Sequence, residues 1–224
     1  MLAHKQIEYR RIDLLPAIHK PLLRMLGFAD TTVPALRIDG RRLQNSTAIS
    51  RALEQLHAER PLFPGDSSRR ALIEQTERWG EQVLQPLPRR LSWWALDRDR
   101  DALRSFAEGA HLRVPLGVAI RTAAPIIAIE RRVNGATDVA VRADLTALPE
   151  MLDQVEELIA DGTLGSSESN AADFQIATSL RLLMCFDDLR PLIERRPAGP
   201  YALRIVPDFP GRIRSVIPAD WLRI

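Results

Sequence analysis

The chain has 224 residues, 46% of them apolar, enough for one large cored domain or two small ones. Its 31 Lys and Arg against 29 Asp and Glu leave a formal charge of +2, and the pairs Arg10-Arg11, Arg41-Arg42, Arg69-Arg70, Arg89-Arg90, Arg131-Arg132 and Arg195-Arg196 are scattered without interleaved aromatics, which argues against a nucleic-acid surface. The longest apolar stretch, Val114 to Ile129, is broken by Arg121 and carries Pro115 and Pro125, so no membrane span is expected.

The start, "MLAHKQIEYRR", lacks the apolar run and small-residue cleavage site of a secretory signal, and a cytoplasmic location is expected. From Ile7 to Leu14, β-suited Ile7, Tyr9 and Ile12 precede the breaker Pro16, which predicts a strand. "HKPLLRML" predicts a short helix with Pro21 in its first turn and Gly27 closing it. "ALRI" and "RRLQ" flank Asp39-Gly40, a dipeptide suited to a type I′ turn, and predict an antiparallel hairpin. Asn45 and Ser46 are N-cap residues, and Ala48, Ile49, Ala52, Leu53 and Leu56 follow at helical spacing in a helix expected to end near Glu59.

"RPLFPGDSSRR" has the composition of a connection, with a boundary near Gly65. Helical periodicity dominates beyond it. Leu72, Ile73, Thr76, Trp79, Val83 and Leu87 recur at three or four residues, a second pattern spans Leu103 to Ile129, and a third runs from Ala147 to Ala160 with Gly162 as its stop. After the loop "GTLGSSES" comes "NAADFQIATSLRLLMCFDDL", where Asn170 and Asp173 have the spacing of a capping box. Cys185 in this segment reads as a buried apolar residue, and as the single cysteine it forms no internal disulfide. His4, His19, His57 and His111 have no metal-ligand spacing, so no metal is expected. The proline-rich, apolar tail from Gly199 is expected to wrap over the helices.

Taken in this order, the motifs resemble the cytosolic glutathione S-transferase family. "TVPAL" at Thr32 to Leu36 is similar to the family's cis-proline turn, "LQNSTAI" at Leu43 to Ile49 to its helix start, "PLFP" at Pro61 to Pro64 to its linker, and "NAADFQIA" at Asn170 to Ala177 to the capping box of its buried helix. The resemblance implies an α/β thioredoxin-like amino-terminal domain (residues 1–60), a linker (61–70) and an all-α helical-bundle domain (71–224), mostly α overall. It implies glutathione as co-substrate or ligand, a small electrophile as its partner, and a homodimer.

By the same resemblance, Pro34 is expected to be cis and the Val33 backbone to pair with the cysteinyl part of glutathione. The helix start at Ser46 would receive the γ-glutamyl carboxylate, Asn45 stands where the family carries an acidic residue or Gln facing the γ-glutamyl amine, and His19 or Lys20 would reach the glycyl carboxylate. Trp79, Trp93 and Trp94 are core residues first and candidate cleft residues second. "MLAHKQIEYRRIDL" resembles the end of the family's first helix running into its second strand, so the first strand and most of the first helix have no counterpart. The thiol-activating residue lies at that junction in the family; no position here matches it, and Tyr9 falls in the second strand instead. Two functions follow: a glutathione transferase, or a non-catalytic binding or scaffolding protein of the same fold.

Overall fold

A computed structural model describes residues 1–14, 19–107 and 115–222. Pro16 and His111 lie outside the described residues. The amino-terminal part is small. Helix α1 (His19–Met25) ends at Leu26 and Gly27, and the hairpin of β1 (Ala35–Ile38) and β2 (Arg41–Gln44) follows. Its register, Ile38 opposite Arg41 through Ala35 opposite Gln44, is set by the two-residue turn. Asp39 and Gly40 both have positive φ, 47° and 76°, which the type I′ turn requires and which glycine adopts without steric cost.

Helix α2 (Ser46–Leu56) begins with Asn45 as its N-cap and ends one residue before His57, short of the expected Glu59. Ile49, Ser50, Ala52 and Leu53 are buried on one face, as the apolar spacing dictates.

The strand expected at 7–14 does not form. Among the described residues the sheet has two strands, β1 and β2, and residues 7–14 run without regular structure. A strand needs a ladder partner for its N–H and C=O groups, and none of the described backbone offers one here. Tyr9 and Ile12 consequently stand 56% and 64% exposed.

Helix α3 (Ser67–Trp79), capped by Asp66, continues through a π-helical turn at Gly80–Leu84 into α4 (Pro86–Arg98). The pattern over Leu103 to Ile129 is not one helix. It divides into α5 (Leu103–Phe106), α6 (Leu116–Arg121) and α7 (Ala124–Val133), and Pro115 and Pro125, which have no N–H to donate, stand at the starts of α6 and α7, where none is needed. Helix α8 (Asp138–Ala160) is longer than expected, since Thr137 caps it and Pro149 is accommodated inside it.

Helix α9 (Ala171–Leu183) is the axis of the larger part, buried on almost every side. Short α10 (Arg190–Glu194) and α11 (Ala198–Ile205) pack beside it, and the tail returns over the bundle, where Ile213 is fully buried and bridges Phe186. Trp94 is 1% exposed, 5.6 Å from the Trp221 ring of that tail, and donates from Nε1 to Asp138 at 2.8 Å. One continuous core joins Ile49 and Leu53 of α2 to Leu62, Phe63 and Ile73, and onward to α9. The architecture is a thioredoxin-like unit followed by a helical domain, and no described helix is long and apolar enough to cross a membrane.

Candidate functional site

A cleft of about 790 Å³ opens between the two parts. Its size is that of sites for small organic ligands. Pro34 and Ser46 come to it from the amino-terminal part, Glu77 and Gln85 from α3 and the start of α4, Phe174, Gln175 and Thr178 from α9, and residues 204–208 from the end of α11 and the tail after it. Met1, Ala3, His4 and Tyr9, with Ser169 and Ala171 at the start of α9, complete the wall.

The Val33-Pro34 peptide bond is cis. Val33 is 57% exposed, and among the described residues neither its N–H nor its C=O has a hydrogen-bond partner. Gln44 fixes the segment before it: Nε2 donates to the carbonyls of Asp30 (2.8 Å) and Thr32 (3.1 Å), while Oε1 accepts from the Asp30 N–H at 2.7 Å. The Asn45 N–H donates to the Pro34 carbonyl at 3.1 Å, so the hairpin ladder carries the turn directly onto the start of α2.

Asn45 itself serves the helix. At φ 64° its Oδ1 accepts from the Ala48 N–H at 2.7 Å, which leaves the N–H groups of Ser46 and Thr47 unpaired among the described residues. These point out of the positive end of the helix dipole, an arrangement that receives a carboxylate. Ser46 is therefore the first helical residue rather than a cap, and it faces the cleft.

Pro34, Asn45 and Ser46 are thus brought together, with Val33 beside them. His19 and Lys20 are not among the cleft walls; they begin α1, where Lys20 Nζ lies 3.9 Å from Glu130 of α7. Trp79, Trp93 and Trp94 are not wall residues either, the first two being partly buried against the core.

Among the wall residues that the sequence analysis did not single out are Glu77 and His4. Glu77 is 1% exposed, and its Oε1 accepts from Ser50 Oγ at 2.9 Å. Burial pushes its carboxyl above the ordinary range, opposed by Arg51 and by the Ser50 hydroxyl. The available signal was its place on the face that Ile73, Thr76 and Gly80 share, where a charge stands out. His4 packs edge-on to Phe174 at 5.4 Å, and its buried Nε2 has no hydrogen-bond partner among the described residues. Burial first, then positive neighbours including Lys5 and Arg60, hold it below the ordinary histidine range, which favours the neutral imidazole.

Asn170 and Asp173 start α9 as a reciprocal pair. Asn170 Oδ1 accepts from the N–H groups of Ala172 and Asp173, and Asp173 Oδ2 accepts from the Asn170 N–H at 2.9 Å. Asp173 Oδ1 also accepts from the Gly165 N–H and the Tyr201 hydroxyl, tying α11 and the preceding loop to α9.

Residues 1–61 match the model of the glutathione S-transferase N-terminal domain. The match covers 61 of the 224 residues. The whole chain also has the glutathione S-transferase fold. It is similar to the crystal structure of a glutathione S-transferase from Rhodospirillum rubrum F11, with a TM-score of 0.54 and 20% identity over 99% of this chain and 90% of that one. No curated protein matches the chain.

The arrangement chemically suits an extended, anionic peptide-like ligand. The Val33 backbone supplies one donor and one acceptor, and the α2 start supplies donors for a carboxylate. Among the described residues no group of acidic, histidine or cysteine side chains is placed to hold a metal ion.

Proposed function

We propose that the chain binds glutathione in this cleft and conjugates its thiolate to a small electrophile. One observation carries the proposal: Pro34, which follows the unpaired Val33 backbone, and Ser46, at the helix start with unpaired N–H groups, line a single cleft. A cysteinyl residue would pair with Val33 as an added strand does, and the γ-glutamyl carboxylate would take the α2 start, with the Ser46 hydroxyl as a further donor. The Asn45 amide stands nearest the γ-glutamyl end. His19 and Lys20 would meet the glycyl carboxylate of a ligand that extends past the cleft walls toward α1. The reaction is thiolate attack, since the thiolate is the nucleophile.

We further propose the division into residues 1–60, 61–70 and 71–224, a cytoplasmic location and a homodimer. The gap between the end of α2 at Leu56 and the start of α3 at Ser67 supports the division.

Two measurements test the function: calorimetric titration with glutathione, and glutathione conjugation of a generic aromatic electrophile. Binding with turnover supports the transferase; binding without turnover assigns the non-catalytic role; absence of both refutes the glutathione proposal. Ser46→Ala should weaken glutathione binding about tenfold or more, the worth of one hydrogen bond to a charged group. Unchanged affinity refutes the placement of the γ-glutamyl end.

A further inference from the structure

A second pocket, of about 280 Å³, lies between the linker, the first turns of α3 and the loop that joins α8 to α9, and shares no wall residue with the cleft. At about 30 Å³ for each water-sized group it has room for about nine non-hydrogen atoms. Its floor is apolar and fixed. Leu62 and Ile73 are 0% and 6% exposed, and the Leu62 peptide is held on both sides, its N–H by Glu54 at 2.8 Å and its carbonyl by the Ala171 N–H at 3.0 Å. Pro61, Pro64 and Leu72 continue the apolar wall, so a small hydrocarbon group enters a hollow that is already formed.

Three polar side chains of the wall are uncommitted. Thr163 is 5% exposed and its backbone N–H is fixed by Asp161 at 2.8 Å, yet its hydroxyl has no hydrogen-bond partner among the described residues. The Arg69 guanidinium makes one bond among the described residues, to the Gly162 carbonyl at 3.4 Å, beyond the usual range of an N–H···O bond. Asp66 and Asp161 accept from the backbone N–H groups of Arg69 and Thr163 and form no ion pair with that guanidinium. The Glu168 carboxylate takes part in no hydrogen bond or ion pair among the described residues.

A buried hydroxyl and a free guanidinium suit a carboxylate, a free carboxylate suits an ammonium, and the hollow beneath them suits a short hydrocarbon chain. An apolar α-amino acid joins these three groups on one carbon, and leucine has the size of the pocket. We propose that this pocket binds a free apolar α-amino acid, with its carboxylate on Thr163 and Arg69, its ammonium on Glu168 and its side chain over Leu62 and Ile73. The site is independent of the glutathione proposal, since the two pockets have separate walls.

The test is calorimetric titration of the full chain with L-leucine, with 4-methylpentanoate, which lacks the ammonium, and with glycine, which lacks the hydrocarbon chain. L-Leucine should bind with a dissociation constant on the order of 0.1–1 mM, fitting for a ligand of so few atoms, and no saturation by about 10 mM overturns the proposal. Glycine should not bind measurably; equal affinity for glycine overturns the proposal too. Wild type should prefer L-leucine to 4-methylpentanoate by about two- to fivefold, the worth of an exposed ion pair, and Glu168→Gln should abolish that preference. Thr163→Val keeps the side-chain shape, removes the hydroxyl and should weaken L-leucine about tenfold or more. A preference that survives Glu168→Gln, or an affinity unchanged by Thr163→Val, overturns the assignment. If Thr163→Val does not fold, Arg69→Gln at an exposed position should weaken L-leucine by about two- to fivefold, and no loss overturns the assignment. Saturating glutathione should leave the leucine affinity unchanged, whereas displacement places leucine in the cleft and overturns this pocket. Leucine binding without glutathione binding leaves this proposal standing while the glutathione proposal falls.

Discussion

Lys5 is one of only two lysines in the chain, and its side chain is fully buried. Its ammonium donates to Glu54 Oε2 (3.0 Å) and to the carbonyls of His57 (2.6 Å), Glu59 (3.2 Å) and Arg60 (3.2 Å). A cation thus sits at the negative end of α2 and satisfies the carbonyls of the cap and of the loop that follows it. Lys5→Met keeps the apolar stem and removes every one of these bonds. Removing one partner of a buried ion pair costs about 3–5 kcal/mol. Glu54 is 17% exposed and keeps the Leu62 N–H at 2.8 Å, so the lower end, about 3 kcal/mol, is expected. For a chain of this size that lowers Tm by about 6–12 °C.

Equilibrium urea unfolding of wild type, Lys5→Met, Glu54→Gln and the double variant checks the value. The two substitutions should couple by about 1–3 kcal/mol, since they share one contact. A loss below about 1 kcal/mol for Lys5→Met would refute the reasoning, because it would mean that the four acceptors are equally well served by water. The same variant should weaken ligand binding, because the Met1–Gln6 turn that Lys5 anchors supplies Met1, Ala3 and His4 to the cleft.

Asp173→Ala leaves the Asn170 and Gly165 N–H groups and the Tyr201 hydroxyl without their acceptor, and should cost about 3 kcal/mol in urea unfolding, while a loss under about 1 kcal/mol would count against the capping box. Gly199→Ala places a Cβ 2.6 Å from both Glu194 Cα and the Ile193 carbonyl oxygen, backbone atoms that cannot turn aside, and should cost about 2–3 kcal/mol; an unchanged Tm would contradict that close approach. Burial pushes the Cys185 thiol up to about 11 from 9.0, so an aromatic disulfide reagent at pH 8 should leave the native chain unmodified and titrate one thiol in denaturant. Because the unfolded chain loses this proton first, stability falls as pH rises from 9 toward about 11, and the stability of wild type minus that of Cys185→Ala should decline over that window.

Where a local rule has a local cause, the sequence was legible. Asp39-Gly40 specified the hairpin and its register, and Asn45 specified the start of α2, because a turn and a cap depend on a few adjacent residues. Periodicity located α3 and α9 for the same reason. It failed over Leu103 to Ile129, where apolar spacing continued through Pro115 and Pro125 although the backbone did not. It failed again at residues 7–14, since a strand is only a strand once a neighbour exists, and β-suited side chains do not supply one.

The candidate site divides along the same line. The sequence by itself determined the Val33-Pro34 turn and the Ser46 helix start, each made by neighbouring residues and each recognisable from the family motif. Only the tertiary structure decided that Glu77, 31 residues after Ser46, and His4, at the other end of the amino-terminal part, share their cleft while His19 and Lys20 lie outside its walls. Burial of the Glu77 carboxylate beside Ser50 and Arg51, and of the His4 imidazole against Phe174, are properties of packing between the amino-terminal part, α3 and α9, and packing brings together residues that no local pattern connects.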